Sequence, residues 1–256
     1  MDCFMNLLRY TLTMAAVLVA GTLAAAEPDL YTASTLRDGR SARDIRRDAI
    51  DHPADVLRLT EIGPGMQLAD VLAGDGYYSE LLSTIVGSKG HVLLLNNTSF
   101  DGWSDNGWVQ RLADGRLPNV EHRTIDLNRM ELGERTLDAV LLIKVYHDLY
   151  WVADDGSWPK VDPSAVLDQI ARALRPGGIV LVVDHSAKPG TGSAAAGTLH
   201  RIDEEFARAD FKAHGLALVA TSNVLRNPED ARDQISYKGP MVGKTDRFVL
   251  VFRKPT

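Results

Sequence analysis

Cysteine is nearly absent from the chain, since the only one among its 256 residues is Cys3. Cys3 precedes an apolar run, in a segment that we expect to be removed from the mature protein. The mature protein would then contain no thiol. This excludes a disulfide framework, a cysteine nucleophile and a cysteine-ligated metal, so any chemistry must come from other side chains.

An excess of positive charge is also lacking. The chain has 28 Lys and Arg against 34 Asp and Glu, a net charge of −6, and therefore gives no indication of the basic face that nucleic-acid binding needs. It contains no internal repeat and no G-x-S-x-G motif, which argues against a serine hydrolase. The partner we expect is a small-molecule substrate, and the sequence leaves the oligomeric state open.

One apolar run stands apart from the rest of the chain, at residues 12–23. Arg9 precedes it and small residues, Ala24 to Ala26, follow it, which is the layout of a secretory signal peptide; the run is too short for a comfortable membrane span. An uncleaved anchor is the alternative. We predict a signal peptide at 1–26, a linker at 27–40 and one domain at 41–256. The mature protein would be periplasmic or secreted, without a stable membrane span.

The central pattern of this domain lies at residues 67–86. A short apolar run containing Asp70 is followed by Gly74 and Gly76, and apolar residues then recur at helical spacing, which predicts strand, tight turn and helix. Glycines at such a turn let backbone N–H groups approach a ligand closely, and the following helix N-terminus favours negative charge. Open α/β sheets hold adenine-containing cofactors at turns of this kind. Taken alone, two glycines are a weak signal.

The rest of the chain continues the alternation of strands and helices. We predict further strands at 91–96, 119–127, 137–145, 179–183, 216–221 and 247–252, and helices at 41–59, 163–174 and 199–214. This order predicts a single α/β domain with a doubly wound, mostly parallel seven-stranded sheet. The last two strands have no helix of normal length between them and should form an antiparallel pair at one edge.

Three kinds of landmark give the chain a resemblance to class I S-adenosylmethionine-dependent methyltransferases. Asp70 to Gly76 (DVLAGDG) matches the family's first motif, Leu174 to Gly178 (LRPGG) precedes the fifth strand, and the terminal strand pair follows. More narrowly, the chain resembles predicted methyltransferases that carry a signal peptide. Their hallmarks are present as Val145 to Asp148, His200 to Asp203 and Gly243 to Phe248.

The resemblance implies a Rossmann-like methyltransferase fold, S-adenosylmethionine as the cofactor and methyl transfer to a small molecule outside the cytoplasm. The residues implied in cofactor binding are Asp70, Gly74, Gly76, Asn96 and Asp126. Two positions depart from the family pattern. Leu72 stands where a glycine is usual, and Asn96 stands where an acid usually holds the ribose hydroxyls, which predicts weaker cofactor binding.

Polar residues follow the fourth and fifth strands, at the edge of the sheet where such folds bind ligands. Methyl transfer to a hydroxyl or amine needs a base, and a histidine held by a neighbouring acid suits that role. We therefore predict catalytic roles for His147 or His185, then His200, with Asp148 as a supporting acid. For each histidine, the alternative is a hydrogen bond that only fixes a loop.

Other functions remain open at this stage. The same His and Asp residues could hold a divalent metal, as in small-molecule O-methyltransferases, but no H-x-x-x-H pair occurs and we assign no metal ligands. A non-catalytic ligand-binding module would keep the fold without turnover, and Asn96 favours it. A nicotinamide-dependent reductase would use Gly74, Gly76 and Ser79 as a dinucleotide fingerprint, although Asp70 inside the strand argues against it.

Overall fold

The structure is a computed structural model and describes residues 27–256. The predicted signal peptide at 1–26 lies outside the described residues. Within 27–256, no helix is both long enough and apolar enough to cross a membrane.

Seven strands form one sheet in the order β3-β2-β1-β4-β5-β7-β6. Strands β1 to β5 are parallel, whereas β7 runs antiparallel to both β5 and β6. The predicted fold class, including the terminal antiparallel pair, is confirmed. The strands are β1 (Gln67–Val71), β2 (His91–Asn96), β3 (Val120–Thr124), β4 (Leu137–Ile143), β5 (Leu174–His185), β6 (Ala217–Ser222) and β7 (Arg247–Arg253).

Helices cover both faces of this sheet. In the described part of the chain they are α1 (Leu30–Thr35), α2 (Ala42–Asp51), α3 (Pro53–Arg58), α4 (Tyr77–Val86), α5 (Thr98–Trp103), α6 (Gly107–Leu112), α7 (Pro163–Ala173), α8 (Ala196–Leu199) and α9 (Glu204–Ala213). Each face of the sheet has its own apolar cluster. Strand β4 contributes Val140 and Leu142 to one cluster and Ala139 and Leu141 to the other, as its continuous apolarity predicted.

Two helices that the sequence predicts as continuous are interrupted. The first breaks at His52, which has φ 42°, and Pro53 then starts α3 because it has no N–H to continue the preceding helix. The second breaks at His200, which has φ 48° and separates α8 from α9. Asp203 then caps α9 by accepting a hydrogen bond from the Glu205 N–H at 3.1 Å.

Residues 27–40, predicted to be a linker, contain helix α1. Its side chains tie it to the domain, because the Tyr31 hydroxyl donates to the Ile62 carbonyl at 3.1 Å. Arg58 donates to Asp29, the residue that caps α1, at 2.8 Å. This segment therefore packs against α3 and α4 as part of the folded unit.

Candidate active site

Two neighbouring strands bring the predicted catalytic residues together at the carboxyl edge of the sheet. His147 and Asp148 lie in a 3-10 turn (His147–Tyr150) just after β4, and His185 ends β5. His200 directly follows α8 and is held at this edge because the Ile202 N–H donates to the His185 carbonyl at 2.9 Å. All four predicted catalytic residues border one cavity.

This cavity has a volume of about 660 Å³. One side of it is aromatic, and Trp151 stacks on Trp158 with ring centroids 5.5 Å apart. Another side is charged and includes Arg47, Asp51, Lys144 and Arg247. The lining comprises Arg47, Ile50, Asp51, Ser99, Phe100, Trp103, Lys144, His147, Asp148, Trp151, Ser157, Trp158, His185, His200, Ser236, Tyr237, Val242, Gly243, Thr245 and Arg247.

His147 is fixed by Asp184, which is completely buried beneath it. The Asp184 carboxylate accepts from His147 Nδ1 at 2.7 Å and from the His147 backbone N–H at 2.8 Å. Burial favours the neutral ring, but the negative charges of Asp148 and Asp184 outweigh it and raise the pKa of His147 to about 10. Asp184 therefore fixes the orientation of His147, and the ring is protonated on both nitrogens at pH 7.

The other nitrogen of His147 faces two further polar groups. His147 Nε2 lies 3.3 Å from His200 Nδ1 and 3.2 Å from Asp148 Oδ1, and these two partners are 3.4 Å apart. Neither ring nitrogen of His147 is free for a substrate in this arrangement. His147 is thus the buried centre of the cluster, and its ring borders the cavity without a free nitrogen.

His185 presents a different environment. Its Nδ1 lies 2.7 Å from the Thr245 hydroxyl, and its Nε2 has no hydrogen-bond partner among residues 27–256. Burial and the nearby positive charges of His147 and Lys144 hold the pKa of His185 well below its usual value. His185 is therefore a neutral imidazole at pH 7.

Three cations surround one acid on the charged side of the cavity. Asp51 accepts from Lys144 at 2.8 Å, from Arg47 at 2.7 Å and from Arg247 at 2.5 Å. Burial opposes ionisation, but the three cations hold the pKa of the Asp51 carboxyl far below its usual range. Burial, together with the charge of Arg47, lowers the pKa of Lys144 to about 8. The cluster has more positive than negative charge and can accept an anion.

The glycine turn after β1 has a different character. Asn96, completely buried, accepts from the Gly74 N–H at 2.9 Å and donates to the Gly74 carbonyl at 2.9 Å. The Asn96 amide also donates a hydrogen bond to the Asp101 carboxylate at 2.8 Å. The Asn96 side chain therefore holds the turn itself. A Cβ on Gly76, which has φ 80°, would meet Leu94 Cδ1 at 2.6 Å.

The remaining predicted cofactor residues are also engaged locally. Asp70 is buried and accepts from the Ser79 hydroxyl at 2.7 Å, and burial raises its pKa to about 6. Asp126 is exposed and accepts from the Asn128 N–H at 2.9 Å. Neither residue, nor Gly74, Gly76 or Asn96, is in the lining of the 660 Å³ cavity. Their roles in cofactor binding stay predictions.

Sequence reasoning did not find the cation cluster. Arg47 and Asp51 share one face of α2 by their i,i+4 spacing, but Lys144 is 93 residues from Asp51 and Arg247 is 196. Only the position of Lys144, directly after the buried strand β4, could have drawn attention to it. The cluster exists because α2 lies across the ends of β4 and β7.

Comparison with known proteins agrees with the fold. Residues 69–182 match the family described as a methyltransferase domain. A search of curated proteins returned no match.

Solved structures with the same fold include three that cover most of the chain. A SAM-dependent methyltransferase from Aquifex aeolicus is 19% identical with a TM-score of 0.59, covering 89% of this chain and 99% of its own. The [4+2]-cyclase SpnF is 17% identical with a TM-score of 0.56, covering 86% and 85%. The arsenic(III) S-adenosylmethionine methyltransferase CrArsM from Chlamydomonas reinhardtii is 14% identical with a TM-score of 0.55, covering 90% and 75%.

At these identities the structural likeness establishes the fold, and the family match adds the chemistry. Together they support an S-adenosylmethionine-dependent methyltransferase, with S-adenosylmethionine as its cofactor. The cyclase among the similar structures is a reminder that one fold carries several activities, so the acceptor has to be inferred from the cavity.

Proposed function

We propose that this chain transfers the methyl group of S-adenosylmethionine to a small-molecule acceptor, outside the cytoplasm. The observation that carries the proposal is the 660 Å³ cavity at the ends of β4 and β5, which combines a cationic side, an aromatic side and a histidine with a free ring nitrogen. The location rests on the signal-peptide pattern at residues 1–26.

The cavity contains groups that suit S-adenosylmethionine. The two positive charges of Arg47 and Lys144 outnumber the single negative charge of Asp51. The two cations can therefore bind the carboxylate of the methionine part. Arg47 also lies over the Tyr77 ring, 3.9 Å from its centroid, at the start of the helix that follows the glycine turn. Phe100 and Trp103, stacked 5.2 Å apart, offer an apolar surface for adenine.

The acceptor would occupy the aromatic side of the cavity. Trp151, Trp158 and Tyr237 line this side and favour a flat, largely apolar molecule. His185 borders the same cavity at the end of β5, and its Nε2 can accept the proton of a hydroxyl or amine. Thr245 would hold the ring in the required orientation.

In methyl transfer, the main task of the protein is to position the acceptor relative to the methyl group. S-adenosylmethionine supplies a methyl group on a sulfonium, and transfer to an acceptor oxygen or nitrogen leaves S-adenosylhomocysteine. The chain positions the acceptor in line, excludes water with its aromatic side and removes the acceptor proton at His185 Nε2. His147 and Asp184, buried beneath the site, keep its floor rigid.

The test uses the mature protein and methyl-labelled S-adenosylmethionine, incubated with small-molecule fractions from a bacterial periplasmic extract. We expect label in a small molecule with the parent protein and a loss of at least about 100-fold with His185→Gln. His91→Gln, at the opposite edge of the sheet where β2 begins, is the matched control and should retain full turnover. Full turnover by His185→Gln would contradict the assignment of the base.

A second function, a non-catalytic binding module, has one observation in its favour. The Asn96 side-chain amide is hydrogen-bonded to Gly74 and Asp101. It therefore does not offer the ribose contact that an acid usually makes at this position. Calorimetry with S-adenosylmethionine separates the two functions. Binding without label transfer to any fraction would support the module and contradict the enzyme.

A further inference from the structure

We propose that His147 Nε2, His200 Nδ1 and Asp148 Oδ1 bind a divalent first-row transition metal. The three residues are the metal-compatible group found among residues 27–256, and their donor atoms all lie within 4.8 Å of one another. This inference does not depend on methyl transfer. It assigns ligands where the sequence, lacking a recognisable ligand spacing, assigned none.

The donor atoms form a nearly equilateral triangle. Its sides are 3.2 Å, 3.3 Å and 3.4 Å. Nitrogen and oxygen donors about 2.1 Å from a common metal lie about 3.0 to 3.4 Å apart at octahedral or tetrahedral angles. The described arrangement therefore needs almost no adjustment to ligate one ion on a single face.

The orientation of His147 also suits ligation. Its Nδ1 is hydrogen-bonded to Asp184 at 2.7 Å, so Nδ1–H stays on this buried carboxylate and a metal would bind at Nε2, where it displaces the proton to solvent. A carboxylate behind a histidine is the arrangement that orients metal-ligating imidazoles and raises their basicity. The backbone bond from His147 to the same carboxylate keeps Asp184 in place.

His200 is held in its position at some conformational cost. Its φ of 48° is unusual for a residue other than glycine, and such backbone strain is concentrated at functional sites. Trp151 packs against the His200 ring at 5.0 Å and Tyr237 at 4.7 Å, each edge-on. The two aromatic rings thus fix the His200 imidazole with Nδ1 toward His147.

The donor set indicates which ions would bind. Two imidazole nitrogens with one carboxylate suit Zn²⁺, Co²⁺, Mn²⁺ or Fe²⁺, whereas Mg²⁺ and Ca²⁺ prefer oxygen ligands throughout. Three protein ligands on one face leave further coordination positions open. All three side chains border the cavity, so those positions are accessible to a water molecule or a bound small molecule.

The experiment is a calorimetric titration of the chelator-treated mature protein with ZnCl₂ or CoCl₂, in separate runs. We expect one ion per chain, and Mg²⁺ at least about 100-fold weaker. The Co²⁺ complex should show visible absorption bands that the protein alone lacks. Absence of saturable binding, or Mg²⁺ binding as tightly as Zn²⁺, would overturn the proposal and leave a hydrogen-bonded cluster.

Substitutions of the proposed ligands test where the ion binds. His200→Ala and Asp148→Asn should each weaken Zn²⁺ binding at least tenfold, and Asp184→Asn should weaken it about 10- to 100-fold through the orientation of His147. His91→Ala is the control and should bind like the parent. Melting temperature without metal identifies a variant that fails to fold, and the other ligand variant then decides. Parent-like affinity in a folded His200→Ala or Asp148→Asn would overturn the assignment.

Discussion

The glycine turn after β1 and the cavity after β4 and β5 occupy the same edge of one sheet but have opposite characters. At the turn, the side chains of Asn96 and Asp70 have partners within the protein: Asn96 binds both backbone groups of Gly74, and Asp70 binds Ser79. At the cavity, positive charge exceeds negative charge around Asp51, and His185 keeps a free ring nitrogen. The cavity therefore has more unused binding capacity in its side chains than the turn.

This difference separates the residues that identify the fold from those that are available to a ligand. The motif at 70–76 is the part of the chain that identifies the fold, yet the hydrogen bonds at this motif stabilise the turn itself. We therefore expect substitutions at the turn to change folding stability and substitutions at the cavity to change binding or turnover. Four predictions test this division, from the largest expected effect to the smallest.

His147→Ala should reduce methyl transfer by about 100-fold, because it removes the centre of the cluster that joins Asp184, Asp148 and His200 and loosens the floor of the site. Its affinity for S-adenosylmethionine should stay within a few fold of the parent's. Label transfer and calorimetry on the same preparation measure both quantities. Full turnover by a folded His147→Ala protein would end the prediction.

Asn96→Ala should lower the free energy of unfolding by about 3 kcal/mol, because the Gly74 N–H and carbonyl would lose buried hydrogen-bond partners. Urea denaturation measures the effect. Asn128→Ala, at an exposed asparagine, is the control and should change stability by less than about 1 kcal/mol. If instead Asn96→Ala is as stable as the parent and only its cofactor affinity falls, the turn is a ligand site after all.

Asp70→Asn should make the free energy of unfolding less dependent on pH. The pKa of Asp70 is raised to about 6 in the folded state from 3.8, so the folded state favours the protonated carboxyl. Its contribution to stability is complete below pH 3.8 and is lost as the pH rises through 6. The stability of Asp70→Asn relative to the parent should therefore increase by about 2 kcal/mol between pH 4.5 and 7.5. A constant difference in urea denaturation would show that Asp70 ionises without cost.

Arg47→Gln should weaken S-adenosylmethionine binding about tenfold, since it removes one charge-assisted contact to the methionine carboxylate. Arg46→Gln, one position earlier on the exposed surface of α2, is the matched control. Calorimetry measures the two affinities side by side. If both variants bind S-adenosylmethionine with equal affinity, the cationic side of the cavity does not contact the cofactor and the prediction is wrong.

The sequence predicted the fold well because local patterns encode it. Apolar runs and glycine turns placed the strand ends within three residues, except that β5 begins at Leu174 and so includes the segment predicted to precede it. The missing helix before β7 predicted its antiparallel pairing. The helix break at His200 was missed because positive φ at a histidine leaves no mark in an apolar pattern, whereas Pro53 could have revealed the break at His52. Helix α1 was missed because it is short and stabilised by packing.

The site was predicted only in part. His147, His185 and His200 were found because they follow strand ends, and the structure does bring them to one cavity. The cation cluster and the triangle of donor atoms depend on long-range packing, which no spacing along the chain reveals. The sequence singled out Asn96 as a departure from the family pattern. Its role in bonding the turn became visible only with the structure.

The most direct test of the division between turn and cavity is a crystal structure of the mature protein with S-adenosylhomocysteine. We expect the ligand inside the 660 Å³ cavity, with its carboxylate within hydrogen-bond distance of Arg47 or Lys144 and its sulfur facing the side where His185 lies. A ligand bound outside this cavity, with the Asn96 amide turned away from Gly74 to hold the ribose, would contradict it.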